Sequence, residues 1–191
     1  MAALELLCGP MFSGKTDELI ARARASPSRA VFKPAVDTRH PPDRVVSHSG
    51  ASIEATAVAD SAALLDAAGD AELVAVDEVQ FFDGALVEAV ELLRARGTDV
   101  VAAGLDLDFR REPFETTRRL ADIAARVERL EGRCGRCGRP ATVTQRLVNG
   151  SPAPLDDAVV RIGDDELYEP RCEECWTEER LEVTGAVRRG A

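Results

Sequence analysis

The sequence has few residues of several kinds, and each scarcity narrows the possible functions. Of the 24 Lys and Arg residues only Lys15 and Lys33 are lysines, and the net charge is −10 with a pI of about 4.8. Proteins that bind nucleic acid usually carry a basic stripe that replaces the counterions on the phosphates, and the sequence shows none. A small substrate is therefore favoured over a nucleic-acid duplex. The scarcity of lysine fits either GC-rich coding or salt adaptation, in which an acidic surface stays hydrated.

Long hydrophobic runs are absent as well. The longest apolar stretches, such as ELVAV and DVVAAGL, are too short to cross a bilayer. The first ten residues, MAALELLCGP, lack the basic region and the small-residue cleavage site of a signal peptide. We therefore expect a cytoplasmic protein without membrane association. At 191 residues the chain is long enough for one core and a small second unit.

A phosphate-loop pattern, G-x-x-x-x-G-K-[ST], is present in the stretch GPMFSGKT. It follows an apolar run, ALELLC, that is typical of a buried strand, and it precedes a segment free of Gly and Pro that predicts a helix. In such loops the backbone N–H groups and the helix N-terminus bind phosphate oxygens. We expect Lys15 to bridge the β- and γ-phosphates and the Thr16 hydroxyl to hold Mg²⁺. The predicted phosphate-binding loop is Gly9, Pro10, Met11, Phe12, Ser13, Gly14, Lys15 and Thr16.

Strand and helix patterns alternate along the first two thirds of the chain. AVFKP predicts a strand, DTRHPPDRVVSHSG a loop, SAALLDAA a helix, ELVAVDE a strand, ALVEAVELLRARG a helix and TDVVAAGLD a strand. This alternation predicts an α/β fold with a P-loop NTPase-like parallel sheet, which binds ligands at the carboxyl ends of its strands. From about Glu131, cysteine pairs and loop-forming residues replace the alternation. We predict a nucleotide-binding domain over 1–131 and a small zinc-binding domain over 132–191.

Two adjacent acids follow the apolar run LVAV. A phosphate loop needs a second acidic ligand for magnesium at the end of a neighbouring strand, and Asp77 has that position. Glu78, one residue further, can take a proton from an attacking hydroxyl or water. Many ATPases and helicases share this pair. The residues alone therefore leave open whether the acceptor of the γ-phosphate is water or a hydroxyl.

Four of the five cysteines form two C-x-x-C pairs. Each two-residue gap lets both thiolates face one ion, so we predict a tetrahedral, structural zinc site made by Cys134, Cys137, Cys172 and Cys175. Thirty-four residues separate the two pairs, more than in a simple zinc ribbon. A zinc-closed stretch of that length is usually functional. The fifth cysteine, Cys8, is most simply a core residue of the first strand.

Several motifs in combination resemble those of the type II thymidine kinases, and the resemblance extends from the phosphate loop to Cys175. The motifs are GPMFSGKT, FKP with DTR and SHSG, DEVQFF, GLDLDFRREPF, CGRCGRPATVTQR and IGDDELYEPRCEEC. One position departs from the pattern, because Asp164 stands where the family usually has a second glycine. We expect this change to alter the local backbone turn.

The resemblance implies an enzyme that transfers the γ-phosphate of ATP to the 5′-hydroxyl of thymidine, for nucleotide salvage. It implies that Glu78 is the general base, that Thr16 and Asp77 hold magnesium, and that Arg39 steadies phosphate charge beside Asp77, Glu78, Val79 and Gln80. It further implies a zinc-tied lasso over the nucleoside, a homotetramer, and feedback by thymidine triphosphate. The implied nucleoside-binding residues are Met11, Phe81, Phe109, Phe114, Arg161, Ile162, Gly163 and Tyr168.

Two other classes of protein share some of these features. A zinc-ribbon ATPase acting on nucleic acid would have the phosphate loop, the acid pair and the zinc site. The negative charge and the short chain argue against it. A nucleotide-binding regulator without catalysis would not need Glu78.

Overall fold

The computed structural model describes residues 2–159 and 167–177. Its N-terminal part is built around a central sheet of six parallel strands. The sheet order is β5-β2-β6-β7-β1-β8, and β3 pairs with β4 in a separate antiparallel hairpin. The strands of this part are β1 (Leu4–Cys8), β2 (Arg29–Pro34), β3 (Arg44–Val46), β4 (Ser52–Glu54), β5 (Thr56–Val58), β6 (Leu73–Val76), β7 (Asp99–Gly104) and β8 (Arg126–Arg129).

Helices and the hairpin cover both faces of the sheet, and for this reason its inner strands are apolar on both sides. The helices of the described residues are α1 (Lys15–Ala25), α2 (Ser61–Ala67), α3 (Leu86–Ala95) and α4 (Glu115–Ile123), and a 3₁₀ turn lies at Val79–Phe81. One face packs against α2, α3 and α4 through residues such as Leu64, Val90 and Leu120. The other face packs against α1 and the β3–β4 hairpin through residues such as Leu19 and Val45.

Local sequence explains where two of the helices begin. The Asp60 side chain accepts a hydrogen bond of 2.8 Å from the Ala63 N–H and so caps α2. Gly14 precedes α1 with a left-handed backbone (φ +83°), which glycine adopts without steric cost. Consequently the phosphate loop leads directly into a helix N-terminus.

The C-terminal part consists of short antiparallel strands. The six-residue β11 pairs with β13 in a register that runs from Val143 opposite Arg171 to Arg146 opposite Tyr168. These strands are β9 (Gly132–Arg133), β10 (Pro140–Ala141), β11 (Val143–Val148), β12 (Ser151–Pro152) and β13 (Tyr168–Arg171). The stretch between the cysteine pairs therefore contains strands of its own.

The structure confirms the α/β fold with a parallel sheet. The prediction of a loop over residues 37–50 is wrong in part, because β3 lies within this segment. The two prolines of the segment precede β3 and do not interrupt it. The boundary near residue 131 stays a prediction. Within the described ranges, no helix combines the length and apolar character that crossing a bilayer requires.

Parallel strands bring their carboxyl ends to one edge of the sheet. β1 and β6 flank β7, so the phosphate loop after β1 lies one strand away from the acid pair after β6. Candidate ligand-binding side chains from distant parts of the chain therefore meet at this edge.

Candidate active site

The phosphate loop is already shaped around its own lysine. The Lys15 ammonium donates hydrogen bonds to the Pro10 carbonyl at 2.6 Å and to the Ser13 hydroxyl at 3.3 Å. Burial lowers the pKa of Lys15, although the charges of Glu78 and Asp77 oppose this effect. The loop thus holds a half-buried lysine where phosphate oxygens would bind.

Position 9 requires a glycine because the neighbouring backbone leaves no room for a side chain. Its φ is +136°, and a Cβ there would lie 2.2 Å from the Leu130 carbonyl oxygen. The Leu130 N–H in turn donates to the Cys8 carbonyl at 2.8 Å, which joins the segment after β8 to the end of β1. Gly9 therefore shapes the loop without itself lining the cavity.

Thr16 and Asp77 meet at the position expected for a magnesium ion. The Thr16 hydroxyl donates to Asp77 Oδ2 at 3.2 Å. Burial first, and then the charge of Glu78, raise the pKa of Asp77 from its usual 3.8 to about 7. A hydroxyl and a carboxylate that converge at the end of a phosphate loop fit the oxygen ligands that Mg²⁺ prefers.

Glu78 is held in position from two sides. Its backbone is left-handed (φ +54°), and its carboxylate accepts hydrogen bonds from Arg39 on Oε1 and from the Gln80 amide on Oε2. Gln80 is fixed in turn, because its Oε1 accepts the Leu105 N–H at 3.0 Å. Arg39 also pairs with Asp37 at 2.7 Å.

Glu78 and Asp37 together stabilise the positive charge of Arg39. Burial would lower the pKa of Arg39, but Glu78 and Asp37 outweigh that effect and raise it. Burial likewise acts to raise the pKa of Asp37, yet the hydrogen bond from Arg39 lowers it overall. The cluster is therefore a fixed arrangement of charges at the edge of the sheet.

A cavity of about 310 Å³ joins these groups to an aromatic wall. Its volume is at the lower end of the range for small-molecule sites. The predicted residues that line it are Met11, Phe12, Ser13, Gly14, Lys15, Thr16, Arg39, Asp77, Glu78, Gln80, Phe81, Phe109, Phe114 and Tyr168.

The C-terminal part contributes directly to this cavity. The Met11 N–H of the phosphate loop donates to the Thr144 hydroxyl of β11 at 3.0 Å, across 133 positions of sequence. The Trp176 indole N–H donates to the Phe109 carbonyl at 3.2 Å. Thus the C-terminal part contacts both the phosphate loop and the aromatic wall.

The four cysteines of the C-x-x-C pairs form one cluster. Their sulfurs all lie within 4.8 Å of one another, and Cys137 Sγ lies 3.6 Å from Cys172 Sγ. Zinc–sulfur bonds of about 2.3 Å in a tetrahedron place the sulfurs roughly 3.8 Å apart. The cluster therefore could hold a zinc ion. The fifth cysteine, Cys8, is buried at the end of β1.

Comparison with known proteins agrees with this geometry. A family model described as thymidine kinase matches residues 2–176, which is nearly the whole chain. The chain belongs to the thymidine kinase family.

Three predicted residues have no place in the lining of the thymidine kinase cavity. Gly9 packs against the Leu130 carbonyl, Pro10 accepts a hydrogen bond from Lys15, and Val79, the first residue of the 3₁₀ turn, is fully buried in the core. Three more, Arg161, Ile162 and Gly163, lie outside the described residues, as does Asp164. Their roles stay predictions.

Several lining residues were not predicted. Thr144 and Lys33 belong to motifs that the family resemblance had already singled out, TVTQR and FKP, yet neither motif assigned a role to them. The further lining residues are Asp17, Asp37, His40, Arg44, Val45, Val46, His48, Ser49, Leu105, Leu107, Asp108 and Val159. Most come from residues 37–49, where the resemblance singled out the DTR and SHSG motifs but assigned a role to Arg39 alone.

Proposed function

We propose that the chain transfers the γ-phosphate of ATP to the 5′-hydroxyl of thymidine, giving ADP and thymidine monophosphate. The observation that carries the proposal is that Glu78 lines one cavity together with the phosphate loop and the aromatic side chains. A phosphate donor and a nucleoside acceptor would have to meet at such a carboxylate.

The donor half follows from the loop. Backbone N–H groups before α1 and the Lys15 ammonium would bind the phosphates of ATP, and Arg39 would balance charge that develops on the γ-phosphate. Thr16 and Asp77 would hold Mg²⁺, which when bound neutralises phosphate charge and aligns the oxygens. Lys15 already faces the Pro10 carbonyl and the Ser13 hydroxyl, so the phosphates need only replace these partners.

The acceptor half depends on Glu78. One carboxylate oxygen of Glu78 would accept the proton of the 5′-hydroxyl while the 5′-oxygen attacks the γ-phosphorus. The bond between the γ-phosphorus and the β–γ bridging oxygen would then break and release ADP. In the structure Arg39 and Gln80 donate hydrogen bonds to the two oxygens. For catalysis, Arg39 would move to the phosphate and leave Oε1 for the hydroxyl.

The nucleoside would lie against Phe81, Phe109, Phe114 and Tyr168, since flat aromatic walls suit a pyrimidine base. A kinase must keep water from competing for the γ-phosphate. Tyr168 and Val159 of the C-terminal part line the cavity, where they would help to exclude water from the bound nucleoside.

The finer assignments that accompany this proposal are salvage synthesis of DNA precursors, a cytoplasmic location, a structural zinc ion, a homotetramer and feedback inhibition by thymidine triphosphate. Membership of the thymidine kinase family supports them. Sedimentation of the purified protein and inhibition by thymidine triphosphate would test the last two.

ADP release measured with and without thymidine tests the reaction. We expect release from ATP to depend on thymidine, and Glu78→Gln serves as the matched control with an intact phosphate loop. Release that is equally fast without the nucleoside would identify an ATPase and overturn the proposal. Stimulation by single-stranded DNA in place of thymidine would favour the zinc-ribbon ATPase.

A further inference from the structure

Arg146 is a charged residue buried completely beside the proposed nucleoside pocket. It lies in β11 with none of its surface exposed. One terminal nitrogen, Nη1, donates to the Ala158 carbonyl at 2.5 Å, and the other, Nη2, forms an ion pair with Asp157. Nε has no hydrogen-bond partner in the structure as described. Such a residue is costly to bury and contributes little net stability compared with an apolar side chain.

The same guanidinium also contacts the aromatic wall of the cavity. Its central carbon lies 5.0 Å from the centroid of the Phe109 ring, which is within the range of a cation–π interaction. Arg110 approaches this ring as well, at 5.9 Å, but it is partly exposed. Arg146 therefore contacts Phe109 from the protein interior.

The backbone of Arg146 extends these contacts to two further segments. It is the residue of β11 opposite Tyr168, another cavity-lining aromatic, and its carbonyl accepts the Ala153 N–H at 2.9 Å. Val159, which lines the cavity, directly follows the Ala158 carbonyl that Arg146 binds. Three parts of the cavity wall thus meet at one buried residue: the Arg146 side chain contacts Phe109 and the 157–159 segment, and its backbone pairs with β13 at Tyr168.

We propose that Arg146 is a positioning residue for the nucleoside, which it serves by fixing Phe109, Tyr168 and the 157–159 segment relative to one another. The proposal rests on the proposed function for the identity of the ligand. A planar fork with five donors can hold a carbonyl, a carboxylate and a ring face at once, whereas an ammonium or an apolar side chain cannot. Arg146 itself need not contact the substrate.

Steady-state kinetics of Arg146→Met, Arg146→Lys and Asp157→Asn test this role. We expect Arg146→Met to raise the KM for thymidine about 10- to 100-fold, with kcat changed less than about threefold and the KM for ATP within about twofold, since the phosphate loop has its own contacts. Arg146→Lys should recover part of the loss, and Asp157→Asn should show a smaller loss. Arg118→Met is the control, because Arg118 forms only exposed pairs, with Glu115 and Asp122.

Hydrogen exchange provides a readout that needs no nucleoside. In Arg146→Met we expect faster exchange in peptides covering residues 105–110 and 153–159, and unchanged exchange across residues 4–25. An unchanged KM for thymidine, or equal rises in both KM values, would overturn the positioning role. If the unmodified protein shows no thymidine-dependent ADP release, the proposed function fails. Faster exchange confined to those two peptides would then still support the inference that Arg146 fixes these segments of the cavity wall. Unchanged exchange would refute that inference.

Discussion

Replacing Cys172 with alanine should separate nucleoside binding from ATP binding. Cys172 is one of the four clustered thiols, and the 34 residues that lie between it and Cys137 contain Thr144 and Tyr168, both lining the cavity. The phosphate loop and Asp77 lie elsewhere, directly after strands β1 and β6 of the six-stranded sheet. We expect thymidine affinity to fall at least ~10²-fold and ATP affinity to stay within a few-fold.

The magnitude follows from the loop that a zinc ion on the four cysteines would close. In the chain-entropy account of a cross-link, closing a loop of this length is worth about 4 kcal/mol. A ~10²-fold loss of affinity corresponds to about 2.8 kcal/mol. The expected loss is smaller than the loop-closure value because the β11–β13 pairing would persist without zinc and would keep part of the loop ordered. ATP would lose only the support of the hydrogen bond from the Met11 N–H to Thr144, worth about 0.5–1.5 kcal/mol.

Two calorimetric titrations on this variant, one with thymidine and one with a non-hydrolysable ATP analogue, measure the effect. Glu174→Gln is the matched control, because Glu174 lies between the second pair of cysteines and, among the described residues, forms an exposed ion pair with Arg139. Equal losses for both ligands would mean that the metal supports the whole fold. The reasoning about separate halves would then be refuted.

Three further predictions concern single features of the site. Glu78→Gln should keep nucleotide binding and lower kcat about 10²- to 10⁴-fold, the usual contribution of a general base, and near-normal turnover would exclude Glu78 from the mechanism. The purified protein should contain one zinc per chain; less than about half an equivalent by metal analysis, in protein that still phosphorylates thymidine, would contradict the assignment. Gly9→Ala should lower the melting temperature much more than Gly14→Ala, because a Cβ at Gly9 overlaps the Leu130 carbonyl whereas one at Gly14 meets no atom within 4 Å. Equal melting temperatures for this pair would show that the loop shifts to accept the methyl group.

Features that depend on neighbouring residues could be predicted from the sequence. Asp77 follows four buried apolar residues of β6, so the pattern placed it at a strand end. The cysteine pairs carry their geometry in their spacing, and their sulfurs do cluster. Likewise Gly14 and Lys15 lie between a strand and a helix, in the context that the motif requires.

Other features depend on contacts between distant residues or on very short elements. β3 and β4 have three residues each, too few for a periodic signal to appear, and the half-exposed edge strand β8 alternates only weakly. The contact of Met11 with Thr144 spans 133 positions and has no local signature. Phe81, Phe109 and Phe114 look like core residues by composition, and only the family resemblance pointed to a ligand.

Both lysines of the chain line the cavity, and this has a consequence for chemical labelling. Lys33 is 2% exposed and donates to the His40 carbonyl at 3.1 Å, and Lys15 is folded against its own loop. Every other basic side chain is an arginine or a histidine, which amine-reactive reagents do not modify. Acylating dyes and amine-coupled sensor surfaces would therefore react at the terminal amine or inside the binding site. Protection of Lys15 by ATP during such labelling would report directly on occupancy of the phosphate loop.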